Sequence, residues 1–396
     1  MDKALASVLA EVSWREAFLW DSCMKCWSCI ESCSLFRYSR DEVRHSPPYK
    51  TYLIKKAVID RAYGLKSLFY RGKPDSKLLE KLGWIAFECL TCGRCEEACP
   101  FKVDTVKADM LLRRLVKPPQ GLEAMVKGAV ETGNPFGEKS GRLNWAPSSF
   151  KPKEKAEILW FIGCNEAYKR FRMARATLKI LERLKLDFTV LQDEKCCGWP
   201  ILSAGNLDVF KMLMNSNIES ANRVEAKTIV TGCPGCSLTW KKVYPEYGGE
   251  VKQRVLHLTE LIAELIDEGK VEFSKRVEDT VTFHDPCDLG RKQGVFEAPR
   301  KIIESIPGLK LVEMKNNRRA SFCCGAGGAY KAVNNEVATS LAALRLMEAV
   351  DAGVKTLVTS CPACIQNFHH ARRKIKAKVK ILSIEELLDK AGIKSR

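Results

Sequence analysis

The sequence predicts a helical N-terminal domain followed by two tandem α/β domains with parallel sheets. Three observations carry that expectation. Two N-terminal runs of cysteine have identical spacing, a stretch dense in glycine and proline follows them, and from Ala156 onward short apolar runs alternate with helical stretches in a pattern used twice. Each use is marked by an adjacent pair, Cys196-Cys197-Gly198 or Cys323-Cys324-Gly325. Each pair has one cysteine upstream (Cys164, Cys287) and a Cys-Pro-x-Cys downstream (Cys233/Cys236, Cys361/Cys364). Adjacent thiolates repel each other unless a metal neutralises them. Five sulfurs recurring in the same order therefore read as a repeated site, and an iron–sulfur cluster is the centre that suits it.

Composition bounds the rest. A chain of 396 residues exceeds one ordinary core, so two or three domains are expected, and 46% hydrophobic with 29% charged residues is globular material. The longest apolar runs, such as Ile158–Gly163 and Thr356–Thr359, fall far short of the roughly 20 residues that span a bilayer. Asp2 and Glu11 interrupt the N-terminal apolar residues with no basic-then-apolar order, so no signal peptide is expected. The expected location is cytoplasmic, with any contact at the cytoplasmic face of the membrane being peripheral or through a partner. Eighteen cysteines would suit a disulfide framework in a small secreted chain; a reducing compartment and tight Cys-x-x-Cys spacing favour metal. The net charge of +17 fits an acidic electron-transfer protein, a membrane face or a solvated Lys/Arg-rich surface. No nucleic-acid motif accompanies it, so no nucleic-acid partner is expected.

In chain order, Ala4–Leu19 reads as an amphipathic helix, with Leu5, Val8, Leu9, Val12 and Ala17 at helical spacing. It leads to Cys23-x₂-Cys26-x₂-Cys29-x₃-Cys33, and the second copy is Cys89-x₂-Cys92-x₂-Cys95-x₃-Cys99-Pro100. This is the spacing by which bacterial ferredoxins hold [4Fe–4S] cubes: three cysteines wrap one corner, and the fourth ligates the other cluster. One cube is assigned to Cys23, Cys26, Cys29 and Cys99, the other to Cys89, Cys92, Cys95 and Cys33. Zinc is the competing reading, but its sites take two separated pairs. Tyr49–Tyr63 and Ser76–Glu88 are rich in helix formers, which resembles the helical ferredoxin domain of succinate dehydrogenase iron–sulfur subunits. Trp27, Trp84 and Phe87 are expected as hydrophobic cover for the clusters. A further helix over Lys107–Leu115 closes at Lys117-Pro118-Pro119, and six Gly and Pro between Glu131 and Pro152 mark a linker. The boundaries drawn are 1–125 for an α-helical two-cluster ferredoxin domain, 126–155 for the linker, and 156–271 and 272–396 for the two cysteine-rich domains.

Within the repeats, Ile158–Ile162 runs into Gly163-Cys164, Phe188–Leu191 leads to Cys196-Cys197, and Thr228–Thr231 delivers Cys233-Pro-Gly-Cys236. Val281–Phe283, Leu309–Glu313 and Thr356–Thr359 do the same for Cys287, Cys323-Cys324 and Cys361-Pro-Ala-Cys364. Helices over Met173–Leu184, Asp208–Val224, Pro299–Ser305 and Glu336–Ala349 alternate with these strands, and the tails Val255–Leu261 and Ile381–Leu387 match. Cysteines that follow parallel strands gather at the carboxyl ends, where open α/β sheets place their sites. Gly198 and Gly325 let the backbone turn while two sulfurs face one centre, and the amides of Gly325, Gly327 and Gly328 are candidates to hydrogen-bond cluster sulfur; a plain tight turn is the alternative. Cys233-Pro-Gly-Cys236 alone reads equally as half a zinc site or a redox dithiol, but inside the fivefold pattern it joins the cluster set.

These motifs, C-x₂-C-x₂-C-x₃-C twice and C…CCG…CxxC twice, cover nearly the whole chain. It resembles the cysteine-rich (CCG) domain family of heterodisulfide reductases, including the single-chain type with a fused ferredoxin domain. Sulfate-reduction-associated menaquinol oxidoreductases and the iron–sulfur subunits of glycolate, lactate and anaerobic glycerol-3-phosphate oxidation belong to the same group. The resemblance implies that each five-cysteine set binds a further [4Fe–4S] cluster, noncubane in the heterodisulfide reductase branch. It implies an oxidoreductase that passes electrons from the two ferredoxin cubes to the CCG-bound clusters, which reduce or form a disulfide. Cys196, Cys197, Cys323 and Cys324 are then the candidate catalytic residues, and Gly198, Gly325 and His284 the candidate cofactor-binding residues. His284-Asp285-Pro286-Cys287 looks like the family's motif, although the family often follows that cysteine with His where this chain has Asp288. His284 or Lys195 is a candidate source of a proton or charge, with positioning as the alternative role. The alternative function is an electron relay between a flavin-dependent 2-hydroxyacid or glycerol-3-phosphate dehydrogenase and the quinone pool. No dinucleotide or flavin motif occurs, so hydride chemistry falls to a flavin- or cytochrome-type redox subunit in a hetero-oligomeric complex.

Overall fold

The computed structural model describes residues 8–39, 43–60 and 76–396. Residues 8–11 are helical, the chain breaks at Val12 and Ser13, and a new helix runs Trp14–Asp21. The single helix expected over Ala4–Leu19 is thus interrupted, and Ala4–Ser7 lie outside the described residues. The cause is a capping box: the Ser13 hydroxyl accepts from the Glu16 amide at 3.2 Å, and the Glu16 carboxylate accepts from the Ser13 amide at 2.8 Å.

Helices Pro47–Ile54, Ser76–Ile85 and Thr105–Arg113 pack with Trp14–Asp21 around Trp20, Leu53, Ile54, Val58, Leu82 and Leu112. Pro47 and Pro48 open the first of these, where a missing amide costs nothing. The expected helix Tyr49–Tyr63 is described as far as Asp60, its last turn being π-helical, and 61–63 lie outside the described residues. The stretch read as a linker opens inside a helix, Gln120–Thr132, which ends on Gly133 in the left-handed conformation; no helix or strand follows until residue 158.

Two four-stranded parallel sheets follow. The strands of the first are β1 (Ile158–Trp160), β2 (Phe188–Thr189), β3 (Thr228–Thr231) and β4 (Arg254–His257), in the order β2-β1-β3-β4. A short strand β5 (Val271–Phe273) comes next, then β6 (Asp279–Phe283), β7 (Leu309–Leu311), β8 (Thr356–Thr359) and β9 (Lys380–Ser383), arranged β7-β6-β8-β9. The two orders are the same when each repeat is counted from its own first strand, and every ladder within them is parallel.

The repeats are not independent bodies. The tail helix of the first, Leu258–Asp267, packs on Glu297–Ser305 of the second, and the tail helix of the second, Ile384–Ala391, packs on Phe171–Arg183 of the first. Equivalent elements are thus exchanged, and Leu178, Leu181, Ile262, Ile302, Ile303 and Leu388 share one core. A final strand, β10 (Ile393–Ser395), pairs antiparallel with β5 and closes the seam, a ribbon not foreseen from the sequence.

Arg113 joins the three parts. Fully buried, its guanidinium donates to the carbonyls of Ala86 and Cys89 in the N-terminal domain, to that of Ser203 in the first repeat, and to that of Gly328 in the second. Asp109, also buried, pairs with Arg113 at 2.9 Å and Lys50 at 3.0 Å.

Candidate iron–sulfur sites and the cavity between them

All eighteen cysteines are free thiols, and they fall into groups. Cys23, Cys26, Cys29 and Cys99 line one small pocket near the surface, where Cys26 is exposed. Burial, with repulsion from Cys99, Cys23 and Cys26, pushes the Cys29 thiol up to about 12. Cys33, Cys89, Cys92 and Cys95 line a second pocket, with the Lys50 ammonium beside it. The fourth cysteine of each motif thus lies with the first three of the other. Of the aromatic residues read as cover, Phe87 is buried, Trp27 is 52% exposed, and the side chain of Trp84 lies outside the described set.

In the repeats, Cys164, Cys233 and Cys361 lie where a helix opens just past β1, β3 and β8, and the adjacent pairs lie in loops. Gly163, at φ +78°, turns the chain from β1 into the helix Cys164–Tyr168. The buried Glu194 carboxylate accepts from the amides of Ile162 and Gly163 at 2.8 and 2.9 Å, and pairs with Arg142 at 2.8 Å. Arg142 reaches on to Cys164 Sγ at 3.6 Å. Gly198, at φ +86°, turns the chain behind the adjacent pair, and its amide lies 3.4 Å from Cys196 Sγ. Tyr244 Oη donates to the Cys197 carbonyl at 3.0 Å, and Asn217 Nδ2 to that of Cys196 at 3.0 Å. In the second repeat Asn367 Nδ2 donates to the Cys324 carbonyl at 2.6 Å, and Gly325 repeats the φ of +86°.

The sulfurs of each repeat form a continuous string of neighbours. In the first it runs Cys164, Cys196, Cys197, Cys236, Cys233; in the second, Cys287, Cys323, Cys324, Cys364, Cys361. Hydrogen bonds from Cys196 and Cys236 hold Cys197 well below the ordinary thiol range, and those from Cys323 and Cys364 do the same for Cys324. A donor set of soft sulfurs, buried and already sharing protons, is what an iron–sulfur centre takes up as thiolates. The residues therefore fit the group.

His284 sits behind the second string. Its Nδ1 accepts from Arg345 Nε at 3.2 Å, which leaves Nε2 as the N–H side, and its ring nitrogen and the sulfurs of Cys324 and Cys364 lie within 4.8 Å of one another. It is held by packing, edge-on to Phe368, outside the cavity wall. Lys195 is also outside that wall: Asn217 holds its amide at 2.9 Å, and its side chain lies along Gly133. Neither residue lines the cavity. Gly327 and Gly328 have a plainer duty than donating to sulfur. A Cβ at the first would meet the Leu90 carbonyl, and one at the second the Cys89 carbonyl and the Thr91 side chain, so glycine lets the second repeat press against the ferredoxin motif.

That contact brings Cys92 and Cys323 within hydrogen-bonding reach, joining the N-terminal sulfur groups to the second repeat. Cys233 and Cys361 lie close enough to repel each other across the seam. Between the repeats is a cavity of about 410 Å³, lined by nine of their ten cysteines; the tenth, Cys323, faces Cys92. Sequence reasoning missed Glu194, Arg142, Asn217, Tyr244, Asn367 and Arg345, since none lies in a spacing motif.

Gly198→Ala tests the local geometry. A Cβ there would come within 2.6 Å of the Phe210 ring at a left-handed φ, whereas Gly137, also left-handed, has open space. Gly198→Ala is expected to cost about 2–4 kcal/mol and Gly137→Ala about 1–2 kcal/mol, so the apparent melting temperature should fall further for the first. Equal shifts would show that the ring yields.

Paired sulfur strings at the carboxyl ends of parallel sheets, behind two interleaved ferredoxin motifs, define an iron–sulfur electron-transfer oxidoreductase. Comparison with known proteins agrees. The cysteine-rich domain (CCG) model matches residues 158–241 and 281–369, and the 4Fe-4S dicluster domain model matches residues 20–103. A dihydromethanophenazine:CoB–CoM heterodisulfide reductase subunit of Methanosarcina acetivorans is 34% identical over 383 residues, 94% of this chain and 93% of that protein. A fumarate reductase (CoM/CoB) subunit of Methanothermobacter marburgensis is 32% identical over 93% of this chain and 72% of its own. Among solved structures, a hypothetical protein from Helicobacter pylori shares the fold at a TM-score of 0.50 and 10% identity, over 90% of this chain and 75% of that one. The chain belongs to the CCG-domain family of iron–sulfur oxidoreductases that includes the heterodisulfide reductase of Methanosarcina. Its N-terminal domain is a two-[4Fe–4S] domain. No described helix is long and apolar enough to cross a membrane.

Proposed function

We propose that this chain is the disulfide-handling component of a hetero-oligomeric iron–sulfur oxidoreductase, which reduces or forms a disulfide held between its two cysteine-rich repeats. The observation that carries this reading is the shared cavity onto which both sulfur strings open, so that centres held by the two strings would face one another across it. Cys23, Cys26, Cys29 and Cys99 would hold one cube, and Cys33, Cys89, Cys92 and Cys95 the other. Each repeat offers five sulfurs, one more than a cube takes, which supports a noncubane [4Fe–4S] cluster at each. When bound, these clusters supply single electrons, two of which with two protons convert one disulfide into two thiols.

The chain's own residues do the rest. Cys92 and Cys323 hold the ferredoxin motif against the second repeat, so electrons enter on that side. Met125, Phe136, Trp199 and Pro286 line the cavity and exclude water from a bound disulfide. Asp288 points an ion pair at the cavity, not a lone base, because Lys292 holds it at 2.7 Å and itself sits over the Trp199 ring. The relatives are named as subunits, which supports a hetero-oligomeric complex; in this proposal the electron source is a partner of flavin or cytochrome type, and the basic chain suits an acidic one. A cytoplasmic chain held peripherally through that partner is part of the same proposal.

Protein purified and reconstituted without oxygen is expected to carry about sixteen irons per chain, four for each of four clusters. Iron and sulfide analysis giving about eight would leave both repeats without clusters and defeat the proposal.

A further inference from the structure

The two repeats differ in the charge that faces their upstream cysteines. In the first, the guanidinium beside Cys164 belongs to Arg142, 3.6 Å from the sulfur, and the buried Glu194 carboxylate neutralises it at 2.8 Å. In the second, it belongs to Arg291, four residues past Cys287 on the short helix Gly290–Gln293, where the first repeat has Tyr168 four residues past Cys164. The neighbouring Lys292 is neutralised by Asp288 at 2.7 Å. Arg291 is not: it forms no ion pair with a carboxylate among the described residues, and the opposite charges that act on it are those of Cys92, Cys287 and Cys323.

Backbone carbonyls fix that guanidinium in place. Its Nε donates to the Cys92 carbonyl at 2.8 Å, and Nη1 to the carbonyls of Ser321 and Arg319 at 2.5 and 3.1 Å. Nη2 is buried with no hydrogen-bond partner among the described residues. One side chain thus spans the contact at which Cys92 of the N-terminal domain meets Cys323, bonded to backbone on each side of it. A hydrogen bond with Cys323, opposed by burial, and then the charge of Arg291 bring the Cys92 thiol down to about 5. An unpaired cation withdrawn from water is costly by itself. Thiolates of a cluster supply the opposite charge, and the cation in return stabilises the reduced, more negative state of that cluster.

We propose that Arg291 is a positioning residue for electron transfer: its unneutralised charge favours the reduced state of the centres held by Cys33, Cys89, Cys92 and Cys95 and by the second repeat, so that an electron leaving the former comes to rest in the second repeat rather than the first. Each transfer oxidises the N-terminal centre by one electron and reduces the second-repeat centre by one. The clause on the second repeat rests on the cluster reading above; the clause on Cys92 rests on the two-[4Fe–4S] domain alone. The doubled unit is used unequally, although its cysteine pattern repeats.

The test is anaerobic redox titration of the full-length reconstituted protein with dithionite, followed by electron paramagnetic resonance, with iron measured on the same samples. Signals are assigned to the repeats by their loss in Cys197→Ser or Cys324→Ser. In the wild type, the second-repeat centre is expected to be reduced before that of the first. In Arg291→Gln the ratio of reduced to oxidised second-repeat centre at a fixed potential should fall about tenfold or more, a midpoint shift of about 59 mV for one electron. The cube of Cys89, Cys92 and Cys95 should move in the same direction, while the first-repeat centre and the cube of Cys23, Cys26 and Cys29 stay. Arg291→Lys, which keeps the charge but cannot make all three carbonyl bonds, should recover most of the shift and separates charge from geometry. A wild type in which the first repeat is reduced first overturns the proposal and needs no variant. So does a glutamine variant with unmoved midpoints, one in which every centre moves alike, or a lysine variant as displaced as the glutamine one. Iron near about eight per chain, with the cube at Cys92 still shifted, would defeat the cluster reading and leave the charge of Arg291 at Cys92 standing.

Discussion

Cys324→Ser is expected to lower disulfide reduction by at least about 100-fold while leaving both N-terminal cubes intact. Cys324 is the middle sulfur of the second string, between Cys323 and Cys364, with His284 beside it. Replacing it divides the string, so the donors on either side no longer share one centre. A ferredoxin cube does not use it. The measurement pairs turnover with electron paramagnetic resonance: the signals of the reduced cubes should persist, and a signal induced by disulfide in the wild type should vanish. An unchanged disulfide-induced signal would favour a relay with no substrate site. Cys197→Ser, the matching change in the first string, separates the repeats, because the Cys92–Cys323 contact exists on the second side alone among the described residues.

Arg113→Met is expected to destabilise the chain by about 3–5 kcal/mol, or about 5 °C in apparent melting temperature for a chain of this length. Methionine fills much of the space but donates nothing. The carbonyls of Ala86, Cys89, Ser203 and Gly328 would each lose a charged donor, and Asp109 would keep only Lys50. Those carbonyls belong to three different parts of the fold, so the loss falls on their docking. Arg113→Lys keeps the charge but cannot reach four acceptors in one plane, so it should recover less than half. Thermal unfolding followed by circular dichroism reads both variants, and a melting temperature within about 1 °C of wild type would show that the clamp contributes little.

The cysteine spacings made much of this protein legible. Cluster ligation is written in short intervals, so Cys23–Cys33, Cys89–Cys99 and the two CCG patterns announce themselves without a fold. Strand–helix alternation likewise points to two parallel sheets with sulfurs at their carboxyl ends. The helix expected over Ala4–Leu19 breaks because apolar periodicity passes through Ser13, while the Ser13–Glu16 capping box overrides it. His284 and Lys195 are reasonable proton donors by proximity in sequence, but packing turns one behind the sulfurs and the other away from them.

Chemistry is what short-range order along the chain dictates here: the donor atoms, their grouping and the doubling of the unit each depend on residues a few positions apart. How the two units meet came from long-range packing alone. The exchange of tail helices, the Arg113 clamp and the Cys92–Cys323 contact join residues far apart in the chain, and no local pattern encodes such pairs. The cysteine pattern thus announces two sulfur sites. Burial of one apolar core across the seam makes them face a shared cavity.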